Sequence, residues 1–248
     1  MIPDIHFRCE TADAFHTFKL ERLKMGCHDV MVVPSVYDWE TYVTLRDEIV
    51  AANQVLEGDL LVPWHNDAHL IANDRLNGGA WKNECPLLHN LIQDMAGKLG
   101  ITPEATRVNI YNSNHHKHLH HDRAAFTPGL SQNMTVALSL GATRNVVFRR
   151  SKRKHRGRWF DFLRKRPPHV PPPTLLSLEV TNGSIYTFAR DVNIEWQHGI
   201  SKNEEEGIDN GDRISIIIWG IREDLDVSKS RVTMNQVTEE KDIPIRKR

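Results

Sequence analysis

The chain has few cysteines, no long apolar run and no excess of either charge. Three cysteines, Cys9, Cys27 and Cys85, are scattered without a C-x-x-C spacing. That excludes a disulfide framework and a zinc ribbon and fits a reducing compartment. No stretch approaches the length of a membrane-spanning helix. The opening MIPDIHFRCETADAFHTF lacks the apolar core of a secretory signal, so an intracellular, soluble protein is expected, cytoplasmic or nuclear. With 32 Lys and Arg against 32 Asp and Glu, there is no global field to draw in nucleic acid or a membrane surface. Any such attraction must come from local charge. What remains is ordinary: 248 residues with 40% hydrophobic content, enough for one large domain or one domain with flanks.

Periodicity divides the chain. Residues 36–53 carry a helical stripe at Trp39, Tyr42, Val43, Ile49 and Val50, with Asp38 placed to cap it. Residues 86–99 repeat the pattern at Leu88, Leu91, Ile92, Met95 and Leu99, with Pro86 at the start and Gly100 past the end. Both read as helices packing on a core. From residue 105 the pattern turns to short runs rich in Val, Ile and aromatics, at 106–111, 117–122, 133–140, 145–149, 175–180, 185–188, 194–198 and 213–219. The motif Thr181-Asn182-Gly183-Ser184 predicts a hairpin, since Asn-Gly suits φ > 0. The expected class is α+β, mainly β: a jelly-roll with flanking helices. The organisation expected is a mixed N-terminal region over 1–104, a β core over 105–226 and a polar tail over 227–248. Within the core, 149–173 reads as a long basic loop ending in prolines.

Five histidines fall within residues 115–121, followed by Asp122. On a strand, alternate residues share a face, so His116, His118, His120 and Asp122 line up. His120 and Asp122 could then reach one metal, with a third ligand from elsewhere. Two His and one carboxylate form the facial set suited to non-haem Fe(II). Other readings stay open at this point. One is a solvated His-rich edge. Another is a cupin-type H-x-H at His118 and His120, although Ala124 and Ala125 stand where its Glu belongs. A second H-x-D, His65-Asn66-Asp67, lies outside the strand-rich region.

Two later features complete a pattern. Trp196-Gln197-His198-Gly199-Ile200 ends a strand with an apolar-flanked histidine. Fourteen residues separate His198 from Arg213, which lies in the run Asp212-Arg213-Ile214-Ser215-Ile216-Ile217-Ile218-Trp219, where Arg213 and Ser215 share one face of an apolar strand. A buried Arg there needs an anion. A carboxylate would accept its bidentate hydrogen bonds, and Ser215 offers a further donor.

The order H-x-D, distal His, Arg-x-Ser resembles the 2-oxoglutarate/Fe(II) dioxygenase superfamily. Asn109-Ile110-Tyr111, Leu138-Ser139-Leu140-Gly141 and His198-Gly199-Ile200 look more narrowly like its AlkB-like branch, over about residues 105–222. The resemblance implies a double-stranded β-helix with Fe(II) on His120, Asp122 and His198. It implies 2-oxoglutarate held by Arg213 and Ser215, contacts to it from Asn109 and Tyr111, and O2 as co-substrate. The activity implied is hydroxylation of a substrate, or demethylation where the hydroxylated group is N-methyl. The chain departs from base demethylases of that branch at Ala124, where they carry an acid, and at Trp219, where they carry a second Arg.

For the substrate, the basic stretch is the main signal. Arg149, Arg150, Lys152, Arg153, Lys154, Arg156 and Arg158 precede Trp159, Phe160 and Phe162. Clustered cations neutralise phosphates and exposed aromatics stack on bases, so Arg153, Lys154, Arg156 and Trp159 are candidate contacts to nucleic acid. The plain alternative is a solvated loop anchored by its aromatics. The competing function is a catalytically silent jelly-roll that binds nucleic acid.

Overall fold

Local signals set where the helices begin and end. The computed structural model describes residues 5–17, 24–56, 61–64, 67–70, 81–112, 116–122, 132–151, 175–201 and 211–226. Helix α1 spans Ala12–His16 and α2 spans Trp39–Val55. Asp38 caps α2 by accepting from the Thr41 N–H at 2.8 Å. The buried stripe of α2 is Tyr42, Leu45, Ile49 and Ala52, while Trp39 and Val50 stay exposed, contrary to expectation. Helix α3 covers Trp81–Glu84 and α4 Pro86–Leu99, closed by Gly100 in the left-handed region. Cys85 provides no side-chain cap for α4; instead Glu48 of α2 accepts from the Leu87 and Leu88 N–H groups at 2.8 and 3.0 Å.

The strands form two sheets. Strands β1 (His6–Cys9), β2 (Asp29–Val33), β3 (Leu61–Trp64), β4 (Asp67–Leu70), β5 (Thr102–Tyr111), β7 (Met134–Gly141), β10 (Ser184–Ala189) and β12 (Arg213–Ile221) build the larger sheet. Its order is β1-β2-β10-β7-β12-β5-β4-β3. Strands β6 (Lys117–His120), β8 (Arg144–Arg150), β9 (Leu175–Val180) and β11 (Trp196–Ile200) form the smaller one, ordered β6-β11-β8-β9. Helix α5 (Arg190–Glu195) links β10 to β11. This is a jelly-roll, mainly β with flanking helices, as the strand pattern predicts.

Alternation along β12 divides the core. Ile214, Ile216 and Ile218 pack with α2 and α4, while Arg213, Ser215, Ile217 and Trp219 take the opposite face. Between the sheets, Tyr111, Ala137, Tyr186 and Phe188 of the larger meet Val146, Phe148, Leu178 and Trp196 nearby. An apolar jacket of helices thus holds one face of the larger sheet and leaves the other free to carry polar groups.

Several expectations need correction. Four strands come from the first hundred residues, and Asp67 of the second H-x-D motif opens β4 inside the larger sheet, so that motif does not lie outside the strand-rich region. His65 and Asn66 lie outside the described residues. The 181–184 turn is no hairpin: β9 pairs with β8 and β10 with β7 and β2, so the turn passes the chain between sheets. Gly183 does take φ 74°, and an added Cβ would meet the Tyr37 carbonyl oxygen. Ile194 belongs to α5 rather than to a strand. Arg149 and Arg150 close β8 instead of opening a loop, and Arg149 donates to the Gln197 side-chain oxygen at 3.0 Å. The rest of the basic stretch, Arg153, Lys154, Arg156 and Trp159 among it, lies outside the described residues, as does the tail over 227–248.

Candidate active site

The pairing of β11 with β6 sets His198 directly opposite His120. Cross-strand partners on one face bring side chains within contact distance, and the two imidazole centroids lie 4.5 Å apart. Asp122 follows β6 by two residues. Its Oδ1 lies 3.4 Å from Nε2 of His198 and 3.6 Å from Nε2 of His120. Ligand atoms of the three residues all fall within 4.8 Å of one another. Among the described residues this is the one cluster able to hold a metal ion.

Each member is held by its surroundings. The Asp122 backbone N–H donates to the Asn193 side-chain oxygen at 2.8 Å, and the Asn193 amide donates back to the Asp122 carbonyl at 3.0 Å. That reciprocal pair clasps the end of β6 to α5, just ahead of the strand carrying His198. The Asn193 carbonyl accepts from Nδ1 of His121 at 2.6 Å, and the Ser151 hydroxyl lies 2.9 Å from Nε2 of the same ring. From the larger sheet, the Thr135 hydroxyl donates to Oδ2 of Asp122 at 3.1 Å. His198 packs against Phe188, with ring centroids 4.7 Å apart, and against Phe148 at 6.1 Å.

Protonation states follow. Burial opposes ionisation of Asp122, but the facing His198 and His120 outweigh it and hold the carboxyl below its usual range. The Trp219 indole also faces Asp122, though its Nε1 falls short of hydrogen-bond geometry. Burial, then the neighbouring His198, pushes His120 down to about 4, so its ring is neutral at pH 7. Nδ1 of His120 lies 2.9 Å from the His118 carbonyl and must carry the proton. The Nε2 lone pair then points at a carboxylate oxygen, an arrangement that is repulsive unless a cation sits between them. The donor set therefore fits a divalent metal.

Arg213 occupies the same interior. It is 0% exposed, and Nε donates to the Ser139 hydroxyl at 2.8 Å. Nη1 and Nη2 are buried with no hydrogen-bond partner. The Tyr111 ring lies 5.0 Å from the guanidinium, and Tyr111 is its register partner on β5. Tyr186 lies beside Arg213 and Ser215, but burial raises its pKa, so it stays neutral and supplies no counter-charge. A planar guanidinium with both terminal nitrogens unoccupied matches a carboxylate accepting two parallel bonds. Ser215 and Asn109, paired across β12 and β5, are buried one step further along.

The structure thus brings His120, Asp122 and His198 together and sets Arg213, Ser215, Asn109 and Tyr111 on one neighbouring face. Sequence reasoning missed Thr135, Ser139 and Asn193. Only Ser139 carried a signal, through the Leu138–Gly141 motif. Arg222, the next cation along the chain after Arg213, is engaged elsewhere: it pairs with Asp224 at 2.6 and 3.0 Å and donates to the Leu99 carbonyl that ends α4.

The sequence profile of the 2OG-Fe(II) oxygenase superfamily matches residues 21–219, most of the chain. No curated protein sequence matches. Among solved structures, the fold is similar to an oxidoreductase of the 2OG-Fe(II) oxygenase family from Burkholderia pseudomallei. Identity is 13% and the TM-score 0.48, with 89% of this chain and 96% of that one covered. It is similar also to the non-haem alpha-ketoglutarate-dependent epimerase SnoN of nogalamycin biosynthesis, at 16% identity and TM-score 0.49, with 82% of each chain covered. The family assignment rests on the profile.

Proposed function

Because this chain belongs to the 2OG-Fe(II) oxygenase superfamily, we propose that it is an Fe(II)- and 2-oxoglutarate-dependent dioxygenase acting through His120, Asp122, His198 and Arg213. The observation that carries this reading is the buried Arg213 guanidinium, with two unpartnered terminal nitrogens in the same interior as the triad. When bound, iron and 2-oxoglutarate supply an oxidation that yields succinate and CO2 and delivers oxygen to a C–H bond of a second substrate.

The chain's own residues do the rest. His120 and His198 offer their Nε2 atoms, the first on a neutral ring, and Asp122 offers an ionised oxygen on the same side. Together they would hold the metal as the two-His, one-carboxylate set suited to Fe(II) oxygen chemistry. The Thr135 hydroxyl and the Asn193 clasp fix the carboxylate so that it cannot swing away. Arg213 takes the distal carboxylate of 2-oxoglutarate in a bidentate pair, with the Ser215 hydroxyl as a further donor. Asn109 and Tyr111 contact the same molecule, the role that the AlkB-like resemblance assigns to them. Phe148 and Phe188, stacked behind His198, keep water off that side. A hydroxylated N-methyl group would leave as formaldehyde; a hydroxylated carbon would remain an alcohol.

The test is an anaerobic titration of the protein with Fe(II) and 2-oxoglutarate, read by the weak visible charge-transfer band of the chelate. His120→Ala, Asp122→Ala and His198→Ala should each abolish the band and the iron-dependent consumption of 2-oxoglutarate while leaving the fold intact. Absence of the band in the unaltered protein returns the chain to a silent jelly-roll. Loss of activity in His65→Ala and Asp67→Ala alone would move the metal to the second H-x-D motif.

A further inference from the structure

Trp219 and Gln132 each bring one buried polar atom to the Asp122 side of the site. Trp219 is the register partner of Thr135 on β7, and the Thr135 hydroxyl donates to Oδ2 of Asp122. The Asn133 N–H donates to the Gly220 carbonyl at 3.0 Å, which lays Gln132 alongside the same stretch of β12. Nε1 of Trp219 and Oε1 of Gln132 are both buried, with no hydrogen-bond partner among the described residues. Together with Asp122, the two residues line a cavity of about 10 Å³. That is about the room of a single water.

The wall of this cavity has a definite polarity. An indole N–H can only donate, whereas an amide oxygen and an ionised carboxylate can only accept. The other polar side chains of the wall are committed. The Asn133 amide bonds the Arg222 backbone through both its ends, at 2.8 Å each. Asn193 clasps the Asp122 backbone, and Arg190 pairs with Asp191 at 3.8 Å. One donor and two acceptors around room for one oxygen match a water: it accepts from Trp219 and gives one hydrogen to Gln132 and the other to Asp122. Buried waters make about three such bonds. We propose that this cavity holds one long-lived water that ties Trp219 and Gln132 to the Asp122 carboxylate and so orients it as a metal ligand. The orienting role rests on the metal reading above; the water site does not. Oδ1 of Asp122 faces the two histidines, and Thr135 and the water take up the carboxylate's remaining lone pairs. Trp219 and Gln132 are in this sense positioning residues, acting on the metal through Asp122.

The experiment uses the full metal-free chain labelled with heavy nitrogen and reads the Trp219 indole N–H by NMR. Its resonance is the one that Trp219→Phe removes, with Trp219→Tyr as the substitute should the Phe variant not fold. A cross-peak from that proton to water that changes sign between laboratory-frame and rotating-frame Overhauser spectra marks a bound water, because hydrogen exchange with solvent keeps its sign. Gln132→Met removes the acceptor at similar volume and should abolish the cross-peak. It should also weaken Zn(II) binding, read by calorimetry, by about tenfold. Both results together support the proposal. No sign-changing cross-peak in the unaltered protein overturns the water site. So does a cross-peak of equal strength in Gln132→Met, which would be relayed through the Thr135 hydroxyl. Loss of the cross-peak with Zn(II) affinity unchanged overturns the orienting role. No Zn(II) binding by the unaltered protein overturns the metal reading itself, while the cross-peak still decides the water site.

Discussion

Replacing Arg213 with Met should reverse the order of stability between variant and parent according to whether 2-oxoglutarate is present. Arg213 is 0% exposed, and Nη1 and Nη2 lack partners. A buried donor left unsatisfied costs roughly 1–3 kcal/mol. Met fills a similar volume without that cost and forfeits the bond to Ser139 and the cation–ring contact with Tyr111. Without ligand, the variant should therefore melt at the same temperature as the parent or a few degrees above it. Ligand changes the order. At a hundred times Kd, a ligand stabilises by about 2.7 kcal/mol, or about 5–11 °C for a chain of this size. Truncating the partner of a desolvated carboxylate costs about 2–5 kcal/mol, which is roughly 30-fold to several-thousand-fold in affinity. At a hundred times the parent's Kd, the variant's shift should then fall to about a third of the parent's or less. Thermal melts of both Mn(II)-loaded proteins, with and without 2-oxoglutarate, give all four values. A variant that melts well below the parent without ligand and shifts equally with it would show that the guanidinium is already satisfied inside the protein.

Three further outcomes follow from the geometry and the sequence. Asn193→Ala removes the clasp on Asp122 and should weaken Mn(II) binding by about 10–100-fold, the usual effect of losing a group that orients a metal ligand; unchanged affinity would leave Asn193 a structural residue only. His120 has a folded pKa of about 4, set first by burial and then by His198, against about 6.5 unfolded. The unfolded chain thus takes up the proton first, so stability of the metal-free protein present above about pH 6.5 is lost as pH falls toward about 4. The His120 side chain is 39% exposed, so the step is shallow; His120→Gln should flatten it, and an unaltered profile would contradict the assignment. Replacing Lys152, Arg153, Lys154 and Arg156 with Ser should reduce the log–log salt slope of single-stranded nucleic-acid binding by roughly 2–3, at about 0.7 per phosphate contact, and binding indifferent to these changes would remove nucleic acid as the ligand of this stretch.

The parts of the site legible in the sequence are those whose chemistry forces a pattern. A metal needs two ligands on one face of a strand, which writes H-x-D at His120 and Asp122. A carboxylate clamp buried in a sheet writes a lone cation into an isoleucine run, which is Arg213. The supporting groups write nothing of the kind. Asn193 bonds the Asp122 backbone from α5, most of which sequence periodicity leaves as a connection between the strands expected over 185–188 and 194–198, and any polar residue in any turn would look the same. Strand β2 was hidden for a related reason: Asp29-Val30-Met31-Val32-Val33 is buried throughout, and a short run buried on both faces has no period to distinguish it from a helix segment. The turn at Gly183 shows the limit of turn chemistry. Asn-Gly specifies φ > 0 but says nothing about which strands pair, and here the neighbours join different sheets.

That division between sheets has a consequence for how the site works. His120 and His198 stand on the smaller sheet, whereas Arg213, Ser215 and Asn109 stand on the larger. Among the described residues, Asp122 is tied across the gap by Thr135 of β7, and the Phe148–Phe188 contact, with centroids 5.4 Å apart, spaces the sheets directly behind His198. The distance from metal to Arg213 is therefore a property of inter-sheet packing rather than of either strand alone. A ligand chelated at one end and clamped at the other would brace the two sheets against each other. Its binding energy depends on a spacing set by apolar side chains that never touch it, because close-packed interiors transmit a change of one methylene to their neighbours.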